Sequence, residues 1–107
     1  MKQNNMQWEQ IVRNVRLKVQ IHFKEIVQSL DLGAYLEPEN YFVSYIFSTT
    51  ENMNEAEKSG LLSEINTYHK ECLRNSGYPQ TAIKDCTFAS QEECEKKYNG
   101  NWYYYYK

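Results

Sequence analysis

Four side chains of this sequence could bind a soft metal ion or act in nucleophilic catalysis. They are one histidine and three cysteines, His69, Cys72, Cys86 and Cys94. Imidazole and thiolate are ligands that zinc prefers in proteins, but the spacing H-x2-C-x13-C-x7-C matches no common structural zinc pattern. Cys72 also falls on an apolar helical stripe, and free cysteine is often buried. We therefore expect core packing for these side chains, and the sequence predicts no metal and no cofactor.

The same residues give little support to enzymatic chemistry. His69 and Cys72 are three residues apart and could share a helix face, but no third group is identified that would orient the histidine as a base. The four glycines stand alone, so the sequence contains neither a GxSxG nucleophile elbow nor a glycine-rich phosphate loop. We predict that the protein is not an enzyme.

The aromatic block at residues 101–107, with the sequence NWYYYYK, is the best candidate for a binding function. In a strand, Tyr103 and Tyr105 would point to one face, and the remaining rings of the block would point to the other. Three interpretations remain open. In the first, one face of the strand packs on the core and a helix or loop of the chain covers the other. In the second, the block binds another protein. In the third, its rings stack on single-stranded nucleic acid.

Protein binding is the functional interpretation that we favour, because tyrosine and tryptophan are preferred anchors of interfaces. The predicted contact residues are Trp102, Tyr103 and Tyr105, with Glu92 and Glu93 as a polar rim. Nucleic acid is disfavoured, since a positive groove would have to come from the three nearby lysines, Lys96, Lys97 and Lys107. An aromatic edge strand can also pair with a second copy, so a homodimer or a homo-oligomeric structural domain is the alternative.

Composition and charge indicate one small domain over residues 1–107. The formal net charge is −2, with five Lys/Arg against three Asp/Glu in residues 1–36 and seven against eleven in residues 37–107. Neither part is basic enough to predict nucleic-acid binding. Without a signal-peptide or membrane-span pattern, and with three cysteines and no CxxC pair, a cytoplasmic location is expected. A short acidic domain of this kind resembles, in general type, small immunity proteins and antitoxins that inhibit a protein partner.

The first element has two conflicting patterns. Apolar residues recur at steps of three and four over residues 6–30, as in an amphipathic helix, whereas residues 15–23 alternate as in a half-buried strand. The helical stripe is longer, and no glycine or proline occurs before Gly33 to supply a turn. We therefore predict one helix over residues 6–30.

The remaining elements follow from composition and caps. Residues 41–48 predict a strand, with Tyr41, Val43, Tyr45 and Phe47 on its core face. A capping box at residues 52–55 predicts a helix to about Asn75, although Gly60 leaves open a start near Ser59. Further predictions are a strand over residues 81–89, a short capped helix over residues 90–100 and a strand over residues 101–107. The predicted fold is α+β in the order α-β-α-β-α-β, with both long helices packed on one face of a three-stranded mixed sheet.

Overall fold

A mixed sheet of three strands organises this protein. The computed structural model describes residues 2–33 and 35–106, and its strands are β1 (Ile26–Gly33), β2 (Tyr41–Phe47) and β3 (Thr87–Ser90). They lie in the order β1-β2-β3, with β1 antiparallel and β3 parallel to β2. The helices of the described residues are α1 (Lys2–His22), α2 (Thr50–Ser59), α3 (Leu61–Asn75), α4 (Gln91–Tyr98) and α5 (Trp102–Tyr105). The predicted α+β class, mixed sheet and long N-terminal helix are confirmed, whereas the predicted order α-β-α-β-α-β is wrong.

The chain between α1 and β1 accounts for the first error. The helix predicted over residues 6–30 ends at His22, and Ile26 begins a strand instead. The turn between them needs no glycine, because the Ile26 amide donates to the Phe23 carbonyl across 3.0 Å in a tight turn that ordinary residues can adopt. Residues 26–33 then gain a full antiparallel partner in β2. Pairing with a distant strand thus overrides a local helical pattern.

The central strand β2 is buried on both faces. The predicted core face is confirmed, since Tyr41, Val43, Tyr45 and Phe47 are all buried. They form one core with the buried stripe of α1 (Val12, Val15, Val19) and with Ile65 and Leu73 of α3. On the opposite face of β2, which we call the back face, Ser44 and Ile46 are also fully buried.

The predicted helix over residues 52–75 is two helices joined at an elbow. The cap is Thr49, whose hydroxyl accepts from the Asn52 amide across 3.0 Å, so α2 begins before the predicted capping box. Gly60 adopts φ 87° and ends α2, and α3 starts directly after it. The left-handed conformation at this position is one that glycine adopts at low cost.

The end of the chain also differs from the prediction. The strand predicted over residues 81–89 is shortened to Thr87–Ser90, because Gln80–Ala82 form a 3-10 turn. The capped helix is confirmed as α4, with the Ser90 hydroxyl accepting from the Glu93 amide at 3.1 Å. The strand predicted over residues 101–107 is wrong, because Trp102–Tyr105 form a helix. The sheet has β1 as a member in place of that predicted strand.

Candidate protein-binding surface

The aromatic block is helical because of signals on its N-terminal side. Asn99 and Gly100 both have positive φ, 52° and 80°, and turn the chain after α4. The Asn101 side chain then caps α5 by accepting from the Tyr104 amide at 3.3 Å. Asparagine is a favoured helix cap and tolerates the left-handed conformation, so both features are local.

Helical geometry divides the rings of α5 differently from a strand. Trp102, Tyr105 and Tyr106 are spaced i, i+3 and i+4, and all three are partly buried. Tyr103 and Tyr104 lie on the other side, where they are 69% and 53% exposed. The predicted contact residues therefore separate, since Tyr103 faces solvent while Trp102 and Tyr105 belong mainly to the inner side.

The inner side of α5 covers part of the back face of the sheet. The ring of Tyr106 contacts that of Phe42 with centroids 4.9 Å apart, and its hydroxyl is hydrogen-bonded to the buried hydroxyl of Ser44. Trp102 stacks on Tyr106 with a centroid distance of 6.0 Å. These contacts help to bury Ser44 on the back face of β2, and they give part of the aromatic block a structural role.

The two glutamates predicted as a polar rim are held by contacts within the domain. Glu93 accepts from the Tyr105 hydroxyl at 3.0 Å and pairs with Lys97 at 3.1 Å, and these contacts, that with Lys97 first, lower its pKa. Burial, followed by the hydrogen bond to Glu93, raises the pKa of Tyr105 to about 12. The Tyr105 ring thus connects α5 to α4, and its hydroxyl stays protonated at neutral pH.

Glu92 joins α4 to the start of α2. Its carboxylate accepts from the Thr50 backbone amide at 3.0 Å and pairs with Lys96 at 3.2 Å. The hydrogen bond from Thr50, followed by the contact with Lys96, lowers the pKa of Glu92. An acidic side chain at a helix N-terminus is stabilised by the amide dipoles there, so Glu92 has a role in the fold.

Three exposed tyrosines remain near the end of the chain after these structural roles are assigned, and we call Tyr98, Tyr103 and Tyr104 together the aromatic patch. Tyr103 and Tyr104 contact each other with ring centroids 5.3 Å apart, and Tyr98 contacts Tyr105 at 5.6 Å. Tyr98 and Tyr104 were not among the predicted contact residues. A helical interpretation of the block puts residues 102, 105 and 106 on one face. It would have placed Tyr104 on the opposite, exposed face.

The histidine and cysteines considered as metal ligands lie in two separate places. His69, Cys72 and Cys86 are buried on the core side of the sheet, whereas Cys94 of α4 is buried outside that core cluster. All three cysteines are free, as expected for core packing. Burial raises the pKa of the Cys86 thiol to about 12, so it is not a thiolate at neutral pH. Within residues 2–33 and 35–106, no three His, Cys, Asp or Glu side chains are placed to hold a metal ion.

His69 forms a buried pair with Tyr45. The Tyr45 hydroxyl and His69 Nδ1 are 2.9 Å apart, and the other ring nitrogen, Nε2, has no hydrogen-bond partner in the described part of the chain. Burial, with Lys70 as a smaller contribution, lowers the pKa of His69 to about 4. His69 is therefore a neutral core side chain at pH 7, and it lies far from solvent.

Comparison of the chain with family models, with curated proteins and with solved structures gives no match. Each helix in the described ranges is too short or too polar to cross a bilayer.

Proposed function

We propose that this protein is a non-enzymatic domain that binds another protein through the aromatic patch. The observation that supports the proposal is the division of α5, in which three rings are partly buried and two adjacent tyrosines present most of their surface to solvent. Covering the sheet requires only the inner rings. Tyrosine gives a large amphipathic contact area with few rotatable bonds, which favours Tyr103 and Tyr104 as interface anchors.

The proposed binding is of the kind used by small immunity proteins and antitoxins, in which a small acidic domain inhibits its target. In this proposal the tyrosines supply the affinity. Glu92 and Glu93 lie at the rim, where their existing pairs with Lys96 and Lys97 limit what they add. The carboxylates would then favour an oppositely charged partner and faster association more than tight binding.

The proposal is tested by purifying the tagged protein gently from its own cells and identifying retained proteins by native mass spectrometry. The variant is Tyr103→Ser with Tyr104→Ser, and the matched control is Ile21→Ser with Leu36→Ser, which also removes two exposed apolar side chains. If the tyrosines are anchors worth about 2 kcal/mol each, either single change weakens binding about thirtyfold. All variants should melt close to the wild-type temperature, because the four side chains are exposed.

Loss of the partner from the tyrosine variant, with retention by the control, would support the proposal. Retention by both variants would contradict it. If the wild-type protein has twice the mass of the chain and the tyrosine variant has the mass of a monomer, the partner is a second copy of this protein. Inhibition of the retained partner's activity by wild-type protein would identify the inhibitor role.

A further inference from the structure

A second surface of the domain combines an apolar floor with carboxylates. It lies where α1 ends and α2 meets α3 at the Gly60 elbow. Its first part is a groove of about 380 Å³ lined by Phe47 and Leu61 and by the carboxylates of Glu25 and Glu55. A second groove of about 450 Å³ includes Gly60 itself and is lined by Phe23, Tyr68, Glu64 and Glu71. The second groove includes Gly60 and the first includes its two chain neighbours, Ser59 and Leu61, so we call the two together the elbow groove.

The four glutamates of the elbow groove lack the helical ion pairs that three other glutamates make in the described part of the chain. Glu9, Glu92 and Glu93 each pair with a basic side chain four residues along the same helix. No ion pair or side-chain hydrogen bond to Glu25, Glu55, Glu64 or Glu71 is found in residues 2–33 and 35–106. Lys24 and Lys58 belong to neighbouring positions of the chain but line neither groove. The groove therefore presents uncompensated negative charge along an apolar floor.

This combination selects the chemistry of an occupant. Carboxylates beside apolar surface interact with a cation more strongly than they would in bulk water, because the protein side has a low dielectric constant. Arginine and lysine carry apolar stems that can lie on the partly exposed Leu61 and Tyr68 while their charged ends reach Glu55 or Glu64. Tyr68, which is partly exposed and stacks on His22 with centroids 4.3 Å apart, adds further apolar ring surface.

We propose that the elbow groove binds a basic segment of another protein, with arginine or lysine side chains on the four glutamates and intervening apolar side chains on the groove floor. The surface is independent of the aromatic patch. Phe47 belongs to the core side of β2, whereas the inner rings of α5 contact Phe42 and Ser44 on the back face. The two proposals can therefore fail separately.

The test uses a defined probe, an acetylated peptide amide of four arginines and two leucines, added to isotope-labelled protein and followed by backbone NMR at low salt. We expect chemical-shift changes confined to the end of α1 and to the region around Gly60. The variant Glu55→Gln with Glu64→Gln should weaken Kd at least about tenfold, since two charge-assisted contacts are lost. The matched control, Glu37→Gln with Glu39→Gln, makes the same change in net charge at exposed positions beside the other end of β2, and should change Kd less than about twofold.

Three results would overturn the proposal. The first is the absence of shift changes in the wild-type protein. The second is equal weakening by both double variants, which would show general attraction to an acidic protein. The third is binding of spermine at the same residues with an equal Kd, because spermine has charge without apolar side chains and would make the groove a site for small cations. Circular dichroism of each variant verifies that it is folded before Kd is compared.

Discussion

Protonation of His69 is predicted to destabilise the fold as the pH falls. The folded-state pKa of His69 is lowered from 6.5 to about 4, chiefly by burial. Between these two values the unfolded chain binds a proton that the folded protein does not. The contribution of the neutral ring is therefore present above pH 6.5 and is lost as the pH falls through this window.

The size of the effect follows from the shift. One pKa unit corresponds to about 1.4 kcal/mol, so the whole window is worth about 3 kcal/mol of the free energy of unfolding. Between about pH 7 and about pH 5, where the folded protein is still mostly unprotonated at His69, the expected loss is about 2 kcal/mol. Asp85, Glu92 and Glu93 have lowered pKa values and lose their contributions only in more acidic solution.

The assay is urea unfolding at several pH values in this range, with His69→Gln as the test variant. Glutamine does not titrate, and its amide can pair with the Tyr45 hydroxyl as donor or acceptor, so the variant should lose the pH dependence of about 2 kcal/mol. The matched control is His22→Gln, since His22 is exposed on α1 and should leave the dependence in place. A His69→Gln protein that keeps the wild-type dependence would refute the reasoning. If that variant does not fold, NMR titration of the His69 ring in wild-type protein still measures its pKa directly, and a value near 6.5 would contradict the prediction.

Two further predictions concern tertiary contacts of β1. Gly33→Ala would place a Cβ atom 2.4 Å from the carbonyl oxygen of Asn40, whereas nothing lies within 4 Å of a Cβ at Gly60. Gly33→Ala should therefore cost more than about 2 kcal/mol in urea unfolding and Gly60→Ala only about 1 kcal/mol, and equal costs would contradict this. Arg16→Met removes the partner of the largely buried Asp31 and should cost about 3 kcal/mol. Adding Asp31→Asn should restore part of that loss, and thermal unfolding that shows strictly additive losses would refute the pairing argument.

The sequence was sufficient for elements whose signals are local. β2 was predicted because aromatic and β-branched residues fill it, and α4 because Ser90 and Glu93 form a cap that needs no distant partner. β1 was not predicted, because its residues also continue a helical stripe and only pairing with β2 decides between the two. The Arg16 contacts with Ser29 and Asp31 hold β1 against α1. On the single helix predicted over residues 6–30, Arg16 and Ser29 would have lain too far apart to make contact.

The candidate surfaces were predictable to different degrees. The aromatic block was recognisable from composition, but its division into inner and outer rings depends on the turn at Asn99 and the cap at Asn101. The elbow groove was not recognised, because acidic residues on a helix usually serve only to solvate its face. The elbow groove forms because the chain bends at Gly60, so that Glu55 of α2 lines its first part and Glu64 of α3 lines its second part.

The proposed function assigns binding to the outer rings of the aromatic block and leaves stability to the inner rings, so the two roles can be tested separately. In one turn of helix, positions 102, 105 and 106 lie on one face, and Tyr103 and Tyr104 lie on the other, where they are exposed. Polar side chains at these two positions would keep the same covered sheet. Tyr105 is different, because its hydroxyl bonds Glu93 and its ring contacts Trp102, so its loss should be felt in stability. If replacing Tyr103 weakens binding without changing the free energy of unfolding, the loss can therefore be assigned to contact with a partner. If only replacement of Tyr105 weakens binding, the loss would reflect a change in the fold.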